Sequence, residues 1–392
     1  MKLLDICEAI VDCPHSTAKN DGTGYPLIRT PNVGKGRLKL AGVHRVSENV
    51  YNLRNERAVP QVDDLILARE APVGNVAIIR QGQQVCLGQR TVLIRPNKEC
   101  VDPDFLVYYL LSPKLQHNLL SSANGATVSH LNMSSIRSLE VQVPDIEVQK
   151  RIGAILARID DKIELNTAIN ENLEQQAQAL FKAWFVDFEP FGGVMPDDWQ
   201  IVPLDELCDS ISKKHRFNKP ELIFLNTGDV ENGMVLHNNY SEVSQMPGQA
   251  KKSIAINDIL YSEIRPINKH FTYVNFNADD YVVSTKLMVL RAKGISPRRL
   301  YQFLTMPDTL NELQHEAETR SGTFPQIRFD NIQQLEMIVA SEQIENEYSE
   351  RLNTIYSMID SNNAENQRLA ALRDTLLPKL MNGEIDVSEV KI

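Results

Sequence analysis

The sequence predicts an α/β (α+β) fold with two tandem α/β domains, each followed by one long helix, and the two helices form an intramolecular antiparallel coiled coil. In two long stretches, apolar residues alternate at spacings of four and three, which is the pattern of a coiled-coil seam. Each stretch follows a segment of short β-branched runs separated by Gly, Pro and Asn, which is typical of strands and loops. The second half of the chain repeats the first, which indicates a duplicated unit.

The coiled-coil seams are the clearest part of the repeat. The first seam comprises Ile152, Leu156, Ile159, Ile163, Asn166, Asn170, Leu173, Ala177, Leu180 and Trp184, and the second comprises Tyr348, Leu352, Ile355, Ile359, Asn362, Asn366, Leu369, Arg373, Leu376 and Leu380. Each member of the second seam follows its counterpart by 196 residues, and asparagine occupies the same two positions in both. A buried asparagine fixes register and partner choice at a cost in stability. We therefore expect the helices to pair with each other, antiparallel, so that the two domains are held at opposite ends.

The repeat also covers the globular segments. Leu27–Val33 resembles Phe224–Val230, and Asp64–Leu67 resembles Asp258–Tyr261. The predicted division is a first domain at 1–143, a helix at 144–186, a linker at 187–199, a second domain at 200–340, a helix at 341–380 and a tail at 381–392. In the first domain, strands are predicted at Tyr25–Arg29, Asp64–Ala68, Val76–Ile79, Thr91–Arg95 and Ser138–Val143, and helices at Phe105–Leu111 and Leu115–Leu120.

Composition limits the class of protein. A chain of 392 residues is too long for one ordinary hydrophobic core. Its five cysteines are scattered without a C-x-x-C pair, which favours buried thiols in a reducing cytoplasm. The first residues do not resemble a signal peptide, and no apolar run is long enough to span a bilayer, so no membrane association is expected.

The net charge of -10 argues at first against a nucleic-acid partner, because DNA is a polyanion. Residues 1–143, however, carry 16 basic against 13 acidic side chains, so the acidity lies in the helices and the second domain. The global charge therefore does not decide whether a local basic surface exists.

Catalytic motifs are missing from the sequence. It contains no phosphate-binding loop, dinucleotide fingerprint, nucleophile elbow, zinc-protease motif or methyltransferase Asn-Pro-Pro-aromatic run, and its eight histidines are isolated. We therefore predict no catalytic, cofactor-binding or metal site. His15 is interpreted as a residue that orders its loop, and Trp184 with Phe185 as a seam terminus or a patch that docks a partner.

The loops beside the predicted strands carry side chains that hydrogen-bond bases and phosphates. The candidate DNA-binding residues are Arg29, Thr30, Asn32, Lys35, Arg37, Arg69, Gln89, Arg90, Thr127, Ser129, His130 and Asn132 in the first domain, and Asn226, Thr227, Arg265, Lys269, Lys286, Arg320, Thr323, Gln326 and Arg328 in the second. The competing interpretation is that they are ordinary solvated loop residues.

Together these features resemble the DNA-specificity (S) subunit of type I restriction-modification systems, over essentially the whole chain. The resemblance rests on the repeated domain-plus-helix unit and on three stretches of sequence. These are Gly125–Asn132 ahead of Val143-Pro144, the predicted helical sequence Ile155–Glu174 and the segment Lys379–Ile385 near the C-terminus. Asp12–Thr17, Ala71–Gly74 and Leu87–Arg90 resemble one recurring class of recognition domain. The second copy departs from this pattern, with Ser321–Pro325 in place of the serine and histidine loop.

The resemblance implies a non-catalytic subunit whose two target-recognition domains each read half of a bipartite, asymmetric site in double-stranded DNA. The coiled coil would set the spacing and dock two methyltransferase subunits, with the surface around Gln175–Phe185 as the candidate for docking. S-adenosylmethionine, ATP and Mg²⁺ are then expected only in the partner methyltransferase and restriction subunits. Two alternatives stay open: a coiled-coil scaffold whose domains bind protein, which the acidic charge favours, and a standalone methyltransferase.

Overall fold

The computed structural model describes residues 1–121, 130–320 and 324–390, which pack into two compact units. The first unit contains Met1–Thr167 together with the chain from Asn363 onward, and the second contains Ala168–Asn362. Each unit thus combines one α/β domain with part of each long helix. This division cuts both helices near their middle, whereas the domain boundaries predicted from the sequence follow chain order and stay predictions.

The first unit contains a five-stranded and a three-stranded sheet. Its elements are β1 (Cys7–Asp12), β2 (Tyr25–Ile28), β3 (Gly36–Arg37), β4 (Arg45–Val46), α1 (Glu48–Arg54), β5 (Leu65–Ala68), β6 (Val76–Ile78), β7 (Cys86–Leu87), β8 (Thr91–Pro96), α2 (Pro103–Leu111), α3 (Pro113–Ser121), α4 (Met133–Arg137) and the first part of α5 (Ile146–Phe185). The strand orders are β1-β8-β5-β6-β3 and β4-β2-β7. Alternate residues of β5 pack on opposite faces of the sheet, Leu65 and Leu67 in the core with α2 and α5, and Ile66 and Ala68 in a second core.

The second unit repeats this arrangement. Its elements are the rest of α5, β9 (Gln200–Pro203), α6 (Leu204–Leu207), β10 (Cys208–Ser210), β11 (Glu221–Leu225), β12 (Val230–Glu231), β13 (Met234–Val235), β14 (Tyr240–Glu242), β15 (Ala250–Ser253), β16 (Ile259–Ser262), β17 (Phe271–Tyr273), β18 (Tyr281–Ser284), β19 (Leu287–Ala292), α7 (Pro297–Thr305), α8 (Pro307–Arg320), α9 (Phe329–Ile332), β20 (Glu336–Val339) and the first part of α10 (Glu342–Met381). The order β10-β19-β16-β17 matches β1-β8-β5-β6, and the parallel pair β11–β18 matches β2–β7. The duplicated fold predicted from the sequence is confirmed.

The two long helices run antiparallel in both units. In the first unit, Asp160 accepts a hydrogen bond from Arg373 (2.7 Å) and Asn166 donates to Asn366 (2.9 Å), so the chain numbers rise in one helix as they fall in the other. In the second unit, Asn362 donates to Asn170 (2.8 Å) and the rings of Trp184 and Tyr348 lie 5.4 Å apart. Every predicted seam residue is buried or half-buried. The antiparallel coiled coil and its paired asparagines are therefore confirmed.

We expect the seam asparagines to fix the register of the two long helices at a cost in folding stability. Asn166 is 1% exposed, and its Nδ2 donates to Asn366 and to Glu365 (2.7 Å), while its own Oδ1 is buried without a partner. Replacing both Asn166 and Asn366 by Leu should raise the thermal midpoint of the full chain, because an unmet polar atom is replaced by apolar contact. Asn166→Leu alone should lower stability by about 1–2 kcal/mol, because it leaves Asn366 without its partner. Equal destabilisation by the single and double variants would contradict this account.

One predicted strand is wrong. Ser138–Val143 contains a single β-bridge, between Lys2 and Glu140, in place of a strand. The short helical turn at Leu3–Ile6 bends the partner segment away after Lys2, so no ladder continues. The corresponding segment of the second unit, β20, does form a strand because β9 pairs with it over four residues. The other predicted strands and helices of the first domain lie within two residues of the observed ones.

The linker folds over the end of α5. Phe191 and Trp199 contact Trp184 and Phe185 in one aromatic cluster, in which Trp184 is 7% and Phe185 3% exposed. The fully buried guanidinium of Arg299 stacks 3.7 Å from the centre of the Phe185 ring, and burial lowers its pKa to about 10. Of the two interpretations of Trp184 and Phe185, the seam terminus fits this packing against Tyr348, and the docking patch does not. These two side chains belong to the packed interior of the second unit.

Candidate nucleic-acid interface

Three loop segments of the first domain meet at one corner of its larger sheet. The amide of Arg69, just after β5, donates to the carbonyl of Arg90, just before β8 (2.8 Å). The amide of Leu131 donates to the carbonyl of Arg69 (3.1 Å). The side chains of Asp12, Arg69, Glu70, Arg90 and His130 are thereby brought together, and we call this group corner 1.

Arg69 is the internal support of corner 1. Its side chain is only 7% exposed, and all three of its nitrogen atoms have partners. Nε donates to the carbonyl of Leu131 (2.8 Å), Nη1 to Asp12 (2.7 Å), and Nη2 lies 2.8 Å from Nε2 of His130. Because each nitrogen of this guanidinium already has a partner within the corner, the side chain orders the corner and has few donors available for a ligand. These contacts give Arg69 a positioning role, and its direct contact with DNA stays a prediction.

The neighbours of His130 decide which of its nitrogens carries the proton. An arginine only donates hydrogen bonds, so Nε2 of His130 accepts from Arg69. Nδ1 therefore carries the hydrogen and donates to Oε1 of Glu70 (3.0 Å). His130 is two-thirds buried and connects the buried Arg69 to the carboxylate of Glu70 through hydrogen bonds.

Arg90 is the exposed cation of corner 1. Its side chain is 62% exposed, and its Nε contacts Oε2 of Glu70 at 2.8 Å. Neither Nη atom has a hydrogen bond to the described residues. The backbone of Arg90 has a positive φ of 64°, which is uncommon for a residue other than glycine and is concentrated at binding sites. Within the described part of the chain, Arg90 is therefore a largely exposed cation held at one side by Glu70.

Gln89 is held against the loop after β1. Its Nε2 donates to the carbonyl of His15 (2.7 Å), and His15 Nε2 lies 3.3 Å from Asp12. His15 thus connects Gln89 to corner 1, in keeping with its predicted role in ordering the loop. The carboxylate of Asp12, which sequence inspection did not pair with His15, supplies the contact.

The second domain builds the same corner from different side chains. The amide of Glu263 donates to the carbonyl of Lys286 (3.0 Å), and that of Ile327 donates to the carbonyl of Glu263 (2.8 Å), as at Arg69. Nζ of Lys286 contacts Glu263 (3.1 Å) and Gln326 (3.4 Å). We call Glu263, Lys286 and Gln326 corner 2. Lysine stands where corner 1 has Arg90, and glutamine where it has His130.

The family of the chain follows from comparison with known proteins. A family model described as type I restriction modification DNA specificity domain matches residues 1–175 and again residues 196–371. The chain belongs to this family. The two matches coincide with the two domain-plus-helix repeats.

Relatives of this specificity family cover different shares of the chain. The type I restriction enzyme HindI specificity subunit of Haemophilus influenzae is 38% identical over 182 residues, which span 46% of this chain and 40% of that relative. The MjaIX specificity subunit of Methanocaldococcus jannaschii is 23% identical over 384 residues, 89% of this chain and 83% of the relative. The type I restriction-modification S subunit from M. genitalium has a similar fold, with a TM-score of 0.59 and 15% identity over 97% of this chain and 95% of that one.

Arg37 of the first specificity domain does not lie at corner 1. Its side chain is 9% exposed, and it contacts Asp161 (2.7 Å) and Glu164 (3.3 Å) of α5 and the hydroxyl of Tyr108 (3.4 Å). Burial opposes its charge, but Tyr108, Asp161 and Asp160 together raise its pKa above the ordinary value. In this structure the side chain anchors the domain to its helix, so these contacts do not support the predicted DNA contact by Arg37.

The hydroxyl of Tyr108 extends this anchor. It donates to Asp160 at 2.6 Å, and Asp160 also accepts from Arg373 of α10. Burial, followed by the charge of Asp160, raises the pKa of Tyr108. Gly36 is required beside this contact, because a Cβ atom there would lie 2.6 Å from Asp160.

The remaining candidates of the first domain divide by exposure. Thr30 and Asn32 are buried, and Asn32 closes its turn by accepting from the amide of Arg29 (3.2 Å) and donating to the carbonyl of Lys39 (3.2 Å). Direct DNA contact is thus not supported for Thr30 and Asn32. Lys35 is exposed, whereas Arg29 and Asn132 are half-buried. Thr127 and Ser129 lie outside the described residues.

The remaining candidates of the second domain are mostly exposed. Arg265 and Lys269 are exposed and flank a short helical turn with positive φ angles of 42° and 57°. Arg328 is also exposed, and Asn226 and Thr227 are half-buried at the start of another turn. Thr323 and the side chain of Arg320 lie outside the described residues.

Within residues 1–121, 130–320 and 324–390, no three His, Cys, Asp or Glu side chains are grouped to hold a metal ion. None of the helices in these ranges is long and apolar enough to cross a membrane.

Sequence inspection did not select Glu70, Glu263 or Asp12, because it searched for donors to DNA and passed over carboxylates. Their positions at strand ends could have identified these carboxylates. Asp12 is the last residue of β1, and Glu70 follows Arg69 just after β5. A carboxylate beside a predicted DNA-contacting arginine is a reason to look for an orienting pair.

Proposed function

We propose that the chain is the non-catalytic DNA-recognition subunit of a type I restriction-modification complex. Each specificity domain reads one half of a bipartite, asymmetric site in double-stranded DNA, and the coiled coil sets the spacing and docks two methyltransferase subunits. S-adenosylmethionine, ATP and Mg²⁺ belong to the methyltransferase and restriction partners. The site of action is the cytoplasm, where the scattered thiols stay reduced.

The single observation that carries this proposal is the pair of corners. Both keep the same two backbone hydrogen bonds, while the side chains change from Arg69, Arg90 and His130 to Glu263, Lys286 and Gln326. A shared scaffold with different polar side chains is what two domains need in order to read different base sequences, because base edges are distinguished by hydrogen-bond pattern.

A binding measurement tests the proposal. The purified chain assembled with its methylation subunit should bind one gapped DNA sequence about 1,000-fold or more tightly than random DNA. The affinity should fall steeply with rising salt, because phosphate contacts release counterions. Equal affinity for all sequences would refute the proposal. Affinity for a protein ligand with little dependence on salt would favour the scaffold alternative.

A further inference from the structure

We propose that Glu70 is a specificity-determining residue that orients Arg90 to read a guanine of the first half-site. This inference rests on the proposed function and names the base that corner 1 recognises. Glu70 itself does not contact DNA in this proposal, so its role is to position another side chain.

The free atoms of Arg90 determine the base. Oε2 of Glu70 forms an ion pair with Nε of Arg90 (2.8 Å), and both Nη atoms remain without a partner among the described residues. Guanine presents two acceptors, N7 and O6, on its major-groove edge, and two arginine donors match them in a bidentate contact. Adenine presents one acceptor and one donor there, so it matches only one of the two free nitrogens. The pair therefore favours guanine.

Glu70 is itself held in place, which an orienting residue requires. It is 16% exposed, and its second oxygen accepts from His130, which is fixed in turn by the buried Arg69. Arg90 is thus attached to a rigid network through one contact. Ordering a long side chain before binding reduces the conformational entropy lost when the complex forms.

A carboxylate at this place disfavours the simpler interpretation that Arg90 only contacts phosphate. A negative charge beside the cation weakens its attraction to a phosphate, whereas it is compatible with contact to the uncharged edge of a base. Corner 2 repeats the pairing with Glu263 and Lys286, although its carboxylate comes from the position equivalent to Arg69. An acidic partner is thus retained for the exposed cation although the residues differ.

A double-mutant cycle tests the proposal. Arg90→Ala, Glu70→Ala and the double variant are assembled with the methylation subunit, and binding is measured on DNA in which each half-site position carries each of the four bases. Arg90→Ala should lose about 10-fold to 100-fold of the discrimination at one guanine. Glu70→Ala should lose part of it at the same position, and adding it to Arg90→Ala should cost nothing further there.

Control variants distinguish a loss of Arg90 orientation from a loss of folded structure. Glu70→Gln retains the shape of the side chain but is neutral and has only one acceptor oxygen, so it cannot keep both the contact with His130 and the ion pair with Arg90. It should lower the same discrimination with a smaller change in thermal midpoint than Glu70→Ala. Glu263→Ala and Lys286→Ala are the matched variants and should relax the second half-site alone. All variants of corner 1 should leave discrimination at the second half-site unchanged.

Several outcomes overturn the inference. If Glu70→Ala reduces discrimination by the same factor with and without Arg90, Glu70 does not act through Arg90. If Arg90→Ala retains full discrimination at every guanine while the wild-type complex is sequence-specific, this inference fails and the proposed function stands. A wild-type complex without sequence preference would refute the proposed function itself.

Discussion

Arg37→Ala should lower the stability of the first unit by about 3 kcal/mol, equivalent to a fall of about 6–12 °C in its thermal midpoint. Its partners Asp161 and Glu164 are 59% and 44% exposed, so these ion pairs alone contribute little. The larger loss comes from the buried side, where the guanidinium and its stem fill space beside Tyr108 and Ala157. Calorimetry of the full-length chain measures the change.

Lys35 is the matched control, because it lies two residues away and is exposed. Lys35→Ala should leave the thermal midpoint nearly unchanged. If Lys35 contacts a phosphate, its removal should reduce the slope of log affinity against log salt concentration by about one. A stable Arg37→Ala variant with weakened DNA binding would show instead that Arg37 leaves its helix and contacts DNA.

The coiled coil could be predicted because its evidence is local and occurs twice. Spacings of four and three report a helical seam within one stretch of sequence, and the matched asparagines identified the partner helix. The pairs Asn166–Asn366 and Asn170–Asn362 then show the expected direction. The end of α5 was less predictable, because the aromatic residues that bury Trp184 lie in a linker without periodicity.

The corners could be predicted only in part, because their contacts join distant segments. Arg69 and Arg90 were both selected as polar residues near strand ends, but they differ in burial. The side chain of Arg69 is 7% exposed and that of Arg90 is 62% exposed. The difference depends on Asp12 and His130, which lie far from both in the sequence. The anchoring contacts of Arg37 were not predictable for the same reason, since its partners are on a helix more than 120 residues later.

Inserting one heptad into each long helix should lengthen the DNA gap that the complex accepts by about three base pairs. The insertion points are Thr167/Ala168 and Asn362/Asn363, where the division between the compact units cuts the helices, so neither unit loses a contact of its own. Seven residues add about 10 Å of helix and two turns of a coiled coil, so the seam continues in phase. Methylation of DNA with the original gap should fall by about 100-fold or more, because one half-site is then out of reach.

The helical repeat of DNA makes this experiment sensitive to direction as well as distance. Three base pairs rotate the second half-site by about 100° around the duplex, so affinity for the lengthened gap should stay below that of the wild-type complex for its own gap. The same seven residues inserted after Gly193, which is exposed and lies in the linker, should leave the gap unchanged. A heptad added to one helix alone disrupts seam pairing and should abolish methylation at every gap. An unchanged gap with both helices lengthened would show that the coiled coil does not set the spacing.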